Sequence, residues 1–258
     1  MKMKKTALAV ALLSLGAIGT ANAASFVNGG FENGTFTGWE QGSGVNYGNT
    51  GYSDGSLALN PASYLGSNTN WQGAIVSAGN DPITGQSMVK YGTYSARINN
   101  SVNNFSVNVI RQIVNNYDGT SINFAWAAVL QSSHGVTDSD IFGLKITDLT
   151  TNTVLYNVAY SSATAPGLFN YSSGWYWNPW TEVSLNVSQG HNFEVSLLAA
   201  DCPYGAHAGY VYLDGFGTVQ GGGGDNGTGG GGNVPEPATL ALMGLGLAGL
   251  AVRRRKAA

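Results

Sequence analysis

The sequence predicts an all-β protein, a single antiparallel β-sandwich flanked by two terminal targeting segments. Three observations predict it. Apolar periodicity of the helical kind is nearly absent between residues 24 and 220. Short apolar or alternating runs recur there, punctuated by Gly, Asn, Asp and Pro, as sandwich strands are. Only 10% of the 258 residues are charged, and amides, hydroxyls and 38 glycines take their place, which suits a surface of turns and strand edges.

Residues 1–23 open with Lys2, Lys4 and Lys5, continue through an apolar run from Ala7 to Ile18, and close on Ala21-Asn22-Ala23. A positive start, a short apolar middle and a small-x-small exit make a secretory signal peptide, cleaved after Ala23 by signal peptidase. Residues 24–220 then form one domain, a size that buries a core without cross-links. Strands are expected at 74–78, 94–99, 105–114, 121–131, 141–148, 154–159, 181–187, 192–199 and 209–219. Residues 107–113 alternate, so one face of that strand should be wet, whereas Phe124–Leu130 is apolar on both faces and reads as a central strand. Asp148 to Thr153 has the composition of a hairpin connection. The stretch 42–70, rich in Gly, Ser, Asn and Tyr, gives no clear strand and is expected as loops or short strands at one end.

Residues 221–233 are almost pure glycine and form a flexible tether with a typical span of about 20 Å. Next come Pro235-Glu236-Pro237, an apolar stretch at 238–252 and the basic cluster Arg253-Arg254-Arg255-Lys256. As a helix the apolar stretch would be about 22 Å long, short for a bilayer core of about 30 Å. The basic cluster would stay cytoplasmic, with the bulk of the chain across the membrane. This order of motif, helix and arginines resembles a PEP-CTERM sorting signal. The resemblance implies transient anchoring in the inner membrane, processing by an exosortase near Pro235–Pro237, and delivery to the cell surface or an extracellular exopolysaccharide matrix.

Within 24–220 four basic residues (Lys90, Arg97, Arg111, Lys145) face twelve acidic ones, a formal net of −8. Such a domain cannot neutralise a phosphate backbone, so nucleic acid is not an expected partner. The single cysteine, Cys202, excludes an internal disulfide and is expected to be a buried, inert thiol.

The domain opens with Asn28-Gly29-Gly30-Phe31-Glu32-Asn33-Gly34-Thr35 and closes with Tyr210-Val211-Tyr212-Leu213-Asp214-Gly215-Phe216. This pair of ends resembles jelly-roll carbohydrate-binding modules and their galactose-binding-like relatives. The resemblance implies a structural Ca²⁺ held by Glu32 and Asp214. Backbone carbonyls, with Asn28 or Thr35, would complete a shell of six to eight oxygens. The other reading is that both carboxylates cap turns.

Trp175, Tyr176 and Trp177 lie in the most aromatic segment, Asn170–Trp180. Alternation places Trp175 and Trp177 on one side and Tyr176 on the other. Rings presented this way can stack on the C–H face of a sugar, or they can plug the end of the sandwich; Trp180, leading into a strand, is expected in the core. The run from Asp201 through Cys202 to His207, Gly209 and Tyr210 resembles one in β-sandwich domains of exported adhesin-like proteins. His134 and His207 with Asp201 form a candidate transition-metal set, although their spacing matches no established ligand pattern. His-Glu-x-x-His does not occur, and Asp138 and Asp140 read as a polar turn. The expected role is therefore non-catalytic: glycan binding or adhesion. A structural coat protein without a ligand and a polysaccharide-acting enzyme stand as the alternatives.

Overall fold

The structure is a computed structural model and describes residues 24–47, 52–53, 56–57, 59–132, 134–135, 138–164 and 167–217. The expected signal peptide, glycine tether and sorting signal lie outside the described residues. Among the described residues no helix is long and apolar enough to cross a membrane.

Two antiparallel sheets pack face to face. The first has the order β1-β6-β13-β8-β9, formed by Glu40–Val45, Ser106–Val114, Phe193–Ala200, Ile141–Asp148 and Thr153–Ser161. The second runs β10-β11-β7-β14-β5-β4, formed by Asn170–Ser172, Trp175–Trp177, Ser121–Gln131, Gly209–Asp214, Tyr94–Ile98 and Ala74–Ser77; β12, Thr181–Asn186, also pairs with β7. A small β2–β3 ribbon, Tyr52–Ser53 and Ser56–Leu57, stands apart. All nine expected strands form, their ends shifted by a few residues; the last stops at Asp214.

The inter-sheet core follows from side-chain alternation. Ile122, Phe124, Trp126, Ala128 and Leu130 of β7 meet Val195, Leu197 and Ala199 of β13 and Phe142, Leu144 and Ile146 of β8. β7 is central, as its two-sided apolar pattern predicts, between β14 and β11/β12. In β6 the alternation runs opposite to the simple expectation. Asn108 and Gln112 are buried and bonded, the first to the Gln72 amide at 2.7 Å, the second to Val27. Val107 and Val109 point outward instead, and Leu59, Tyr64 and Leu65 cover them. That cover can sit close because β1 has glycine beneath it: a Cβ on Gly42 would lie 2.2 Å from the Tyr64 carbonyl oxygen.

The two ends of the domain meet. The Phe216 amide donates to the Gly29 carbonyl at 3.0 Å, an approach closed to any residue bearing a Cβ, which would fall 1.7 Å from the Phe216 oxygen. Phe26, Phe31, Trp39 and Phe216 form one aromatic cluster there, with Phe26 and Phe216 edge to face at 4.7 Å.

At the other end Asp201 ties the sheets together. It is fully buried. Its Oδ2 accepts from the Asn104 amide (3.0 Å), the Ser106 amide (2.9 Å) and the Ser106 hydroxyl (3.0 Å). Its Oδ1 accepts from Asn99 Nδ2 at 2.8 Å, and the same Nδ2 donates to the Gly209 carbonyl. Burial raises the Asp201 pKa, and these donors oppose the rise. One side chain thus fixes the end of β5, the start of β6, the end of β13 and the start of β14.

Asp201→Ala strands several buried donors, each costing about 1–3 kcal/mol. We expect a loss of at least about 3 kcal/mol in urea unfolding and a melting temperature lower by roughly 10 °C. A change below about 1 kcal/mol would show that the donors find other partners.

Candidate functional site

A groove of about 450 Å³ crosses the outer face of the first sheet. Its floor is a row of directly paired residues, one from each of four adjacent strands: Arg111, Ser196, Lys145 and Asn157. Glu40 continues the row on β1, opposite Arg111. One wall is the segment from Leu59 to Leu65, shaped by a 3-10 turn at Pro61–Ser63 that Asn60 caps. The neighbouring row Val109–Leu198–Gly143–Ala159 is apolar, and Gly143 leaves the floor open where it meets the groove.

The electrostatics of this floor are mostly internal. Arg111 donates to Glu40 through Nε (3.0 Å) and Nη2 (2.6 Å), and its Nη1 lies 3.6 Å from Glu194. Among the described residues Lys145 makes no ion pair, and it is exposed. Ser196 Oγ is buried without a hydrogen-bond partner. The groove therefore holds one free cation, one amide and one unsatisfied hydroxyl side by side. Sequence reading identified Arg111 and Lys145 as two of four domain cations and assigned neither a role.

The aromatic segment forms the β10–β11 hairpin on the second sheet, with Tyr176 opposite Leu130. Trp175 and Trp177 lie on the outer face, against Val129, Tyr210 and Tyr212, whereas Tyr176 turns toward the inter-sheet side and packs 4.7 Å from Tyr171. All three are half-buried. Trp180, expected in the core, joins the outer face instead; its indole donates to the Ser87 carbonyl at 2.9 Å.

That face is partly roofed by residues 78–90. Ile83 and Met88 pack on it, and Asp81 anchors it. Asp81 Oδ2 accepts from both Tyr210 and Tyr212 hydroxyls at 2.7 Å, and Oδ1 accepts from the amides of Ile83 and Thr84 and from Thr84 Oγ1. Burial alone would raise the Asp81 pKa, but these donors outweigh it and hold the carboxyl below its ordinary value. The roof leaves Trp175 and Trp177 at its margin.

Glu32 and Asp214 both cap residues 90–94. Asp214 Oδ2 accepts from the amides of Lys90 and Tyr91 at 2.8 Å each. Glu32 accepts from the amides of Thr93 (3.0 and 3.1 Å) and Tyr94 (3.1 Å). Asp214 Oδ1, however, is buried and makes no well-formed hydrogen bond, although the Gly215 amide acts on the same carboxylate. Burial pushes the Asp214 pKa up to about 7, and the nearby Glu32 charge adds to the rise. A buried carboxylate oxygen so placed beside a second carboxylate fits a hard cation. Asn28 is otherwise engaged: its Nδ2 donates to the carbonyls of Thr35 (2.8 Å) and Thr37 (3.3 Å).

The candidate set His134, His207 and Asp201 separates. The two imidazoles meet edge to face at 4.6 Å, but every Asp201 oxygen is occupied by the knot between the sheets.

Residues 233–256 match the PEP-CTERM protein-sorting motif. The chain thus carries the sorting signal of an exported, exosortase-processed surface protein. No curated protein matches it in sequence. Similar solved structures include the carbohydrate-binding module TmCBM61 in complex with beta-1,4-galactotriose. It is 14% identical, with 75% of this chain and 97% of that one covered, at a TM-score of 0.40. A non-crystalline-cellulose-specific module, CBM28, is 14% identical over 76% and 97% at 0.36. The K1 cleaved adhesin domain of Lys-gingipain from Porphyromonas gingivalis W83 is 12% identical over 72% and 92% at 0.33. The likeness is one of sandwich architecture.

The Asp81 anchor has a defined pH signature. A carboxyl whose folded pKa is depressed contributes stability above its unfolded pKa of about 3.9 and loses it as pH falls through the folded value. Asp81→Asn should cost about 1–3 kcal/mol at pH 7 by urea unfolding. The gap to wild type should narrow at pH 3; a gap that stays constant would mean that the charge of Asp81 contributes nothing.

Proposed function

We propose that the domain is a non-catalytic glycan-binding or adhesive module, exported and released into or attached within an exopolysaccharide matrix, with the groove of the first sheet as its binding face. The observation that carries this reading is the cross-strand row Arg111–Ser196–Lys145–Asn157. A sugar ring presents hydroxyls that both donate and accept. The row offers donors at Lys145 and both a donor and an acceptor at Asn157, the two paired side by side. Leu59, Leu65 and Val154 supply apolar margins for C–H faces. The groove's lining includes a single carboxylate, Glu194, held beside Arg111, whereas glycoside hydrolysis ordinarily uses two.

The aromatic face of the second sheet supports a second location for the same activity, because Trp175 and Trp177 stand at the open margin of the roof. A structural role without a ligand remains the contrasting reading.

We further propose that Glu32 and Asp214 hold a structural Ca²⁺, with Asp214 Oδ1 as its buried ligand and backbone carbonyls completing the shell. The ion would join the first turn of the domain to its last strand and to residues 90–94.

Titration of the purified protein against polysaccharides, including the producer's own exopolymer, tests the function. Lys145→Ala/Asn157→Ala should weaken binding on the order of 100-fold while Trp175→Ala/Trp177→Ala changes it little. The reverse pattern moves the site to the aromatic face, and no saturable binding by wild type favours the structural role. For calcium, saturating Ca²⁺ should raise the melting temperature of chelator-treated protein by roughly 5 °C or more, and Asp214→Asn should abolish the rise. An unchanged melting temperature in wild type leaves both carboxylates as turn caps.

A further inference from the structure

The two histidines set apart from Asp201 have another partner. His134, Cys202 and His207 place one ligand atom each within 4.8 Å of one another. In a tetrahedral zinc site, with Zn–S of about 2.3 Å and Zn–N of about 2.0 Å, ligand atoms stand roughly 3.3–3.7 Å apart. The observed cluster closes onto an ion with side-chain adjustments of about 1 Å. Asp138 stands beside the set: its Oδ2 lies 3.6 Å from His134 Nδ1, and its backbone carbonyl accepts from Cys202 Sγ at 2.8 Å.

Three features distinguish this cluster from a chance meeting of loops. His207 Nδ1 is buried and has no hydrogen-bond partner, which is costly for an imidazole nitrogen unless another ligand takes it. Cys202 is fully buried, yet its sulfur faces His134 Nδ1 at 3.9 Å rather than an apolar pocket. Acidic side chains adjoin it: Asp138 Oδ2 lies 3.6 Å from His134 Nδ1, and Asp140 follows two residues on. Asp140 itself is fully buried, with Oδ2 unpartnered and Oδ1 accepting from Ser162 at 2.8 Å.

We infer that His134, Cys202 and His207, with Asp138 as fourth ligand, form a binding site for a thiophilic transition-metal ion, and that the ion is Zn²⁺. Nitrogen and sulfur donors exclude Ca²⁺ and Mg²⁺, which take oxygen, and a mixed set of this kind suits Zn²⁺. Binding releases the thiol proton to solvent and forms the metal–thiolate bond. The alternative use of a cysteine beside a histidine is as a nucleophile. Cys202 is fully buried, out of reach of a substrate, which leaves it without that role.

Such an ion would tie His134 and Asp138 to the 201–208 loop, at the end of the sandwich where Gln131 and Ala208 already bond. With one cysteine in the chain, it would supply the covalent-strength link that a disulfide cannot.

Co²⁺ titration of the purified, untagged protein tests the site. Wild type should bind one equivalent, with a sulfur-to-cobalt charge-transfer band and tetrahedral d–d bands that Zn²⁺ bleaches and Ca²⁺ does not. Cys202→Ser should lose the charge-transfer band. His134→Ala, at an exposed position that leaves the core untouched, should bind at least 10-fold more weakly. His191→Ala, the chain's remaining histidine, should bind as wild type does. Absence of the charge-transfer band in wild type, or Co²⁺ affinity unchanged in His134→Ala, would overturn the assignment.

Discussion

A single buried carboxylate sets the geometry of this sandwich. Two sheets facing each other across an apolar core can slide, because dispersion and hydrophobic burial are non-directional. Asp201 removes that freedom. Its two oxygens collect donors from the junction of β5 with β6, and its neighbour Asn99 bonds to β14. The cost of burying it is offset only when all donors are in place, so it specifies one relative position of the sheets. The meeting of Cys202, after β13, with His134, after β7, depends on that position.

The strands were legible because their signal is local. Nine runs of β-branched and aromatic residues between turn formers became nine strands. Three other strands were hidden for physical reasons. β1 reads Glu-Gln-Gly-Ser-Gly-Val, a poor strand by propensity, because Gly42 and Gly44 leave space for Tyr64 and Leu65 to cross above them. β11 sits between Gly174 and Pro179, residues that ordinarily mark loops; its pairing with β7, and the addition of β10 beyond it, are tertiary effects.

The sites were less legible. Glu32 and Asp214 could be brought together from the two chain ends, but the buried oxygen that makes the pair interesting is visible only in three dimensions. Trp180 misled because its strand begins one residue later and its side chain already belongs to the outer face. The groove residues come from four strands, at positions 111, 145, 157 and 196, and only register aligns them. The one cue was that two of the domain's four cations stand inside otherwise apolar strands. Asp201 looked like a ligand because it precedes Cys202. Alternation sends neighbouring side chains to opposite sides, so one went to the knot and the other to the histidines.

The last described residue, Gly217, follows directly from β14, which lies between β5 and β7 and bonds to both. Tension carried by the tail therefore enters through an interior strand, not a peripheral one. To extract β14 along its axis, two ladders must shear at once, and many hydrogen bonds share the force instead of breaking one by one. A protein held by this tail while its other surfaces grip a polymer would resist being drawn out under flow, and its mechanical strength would come from strand order.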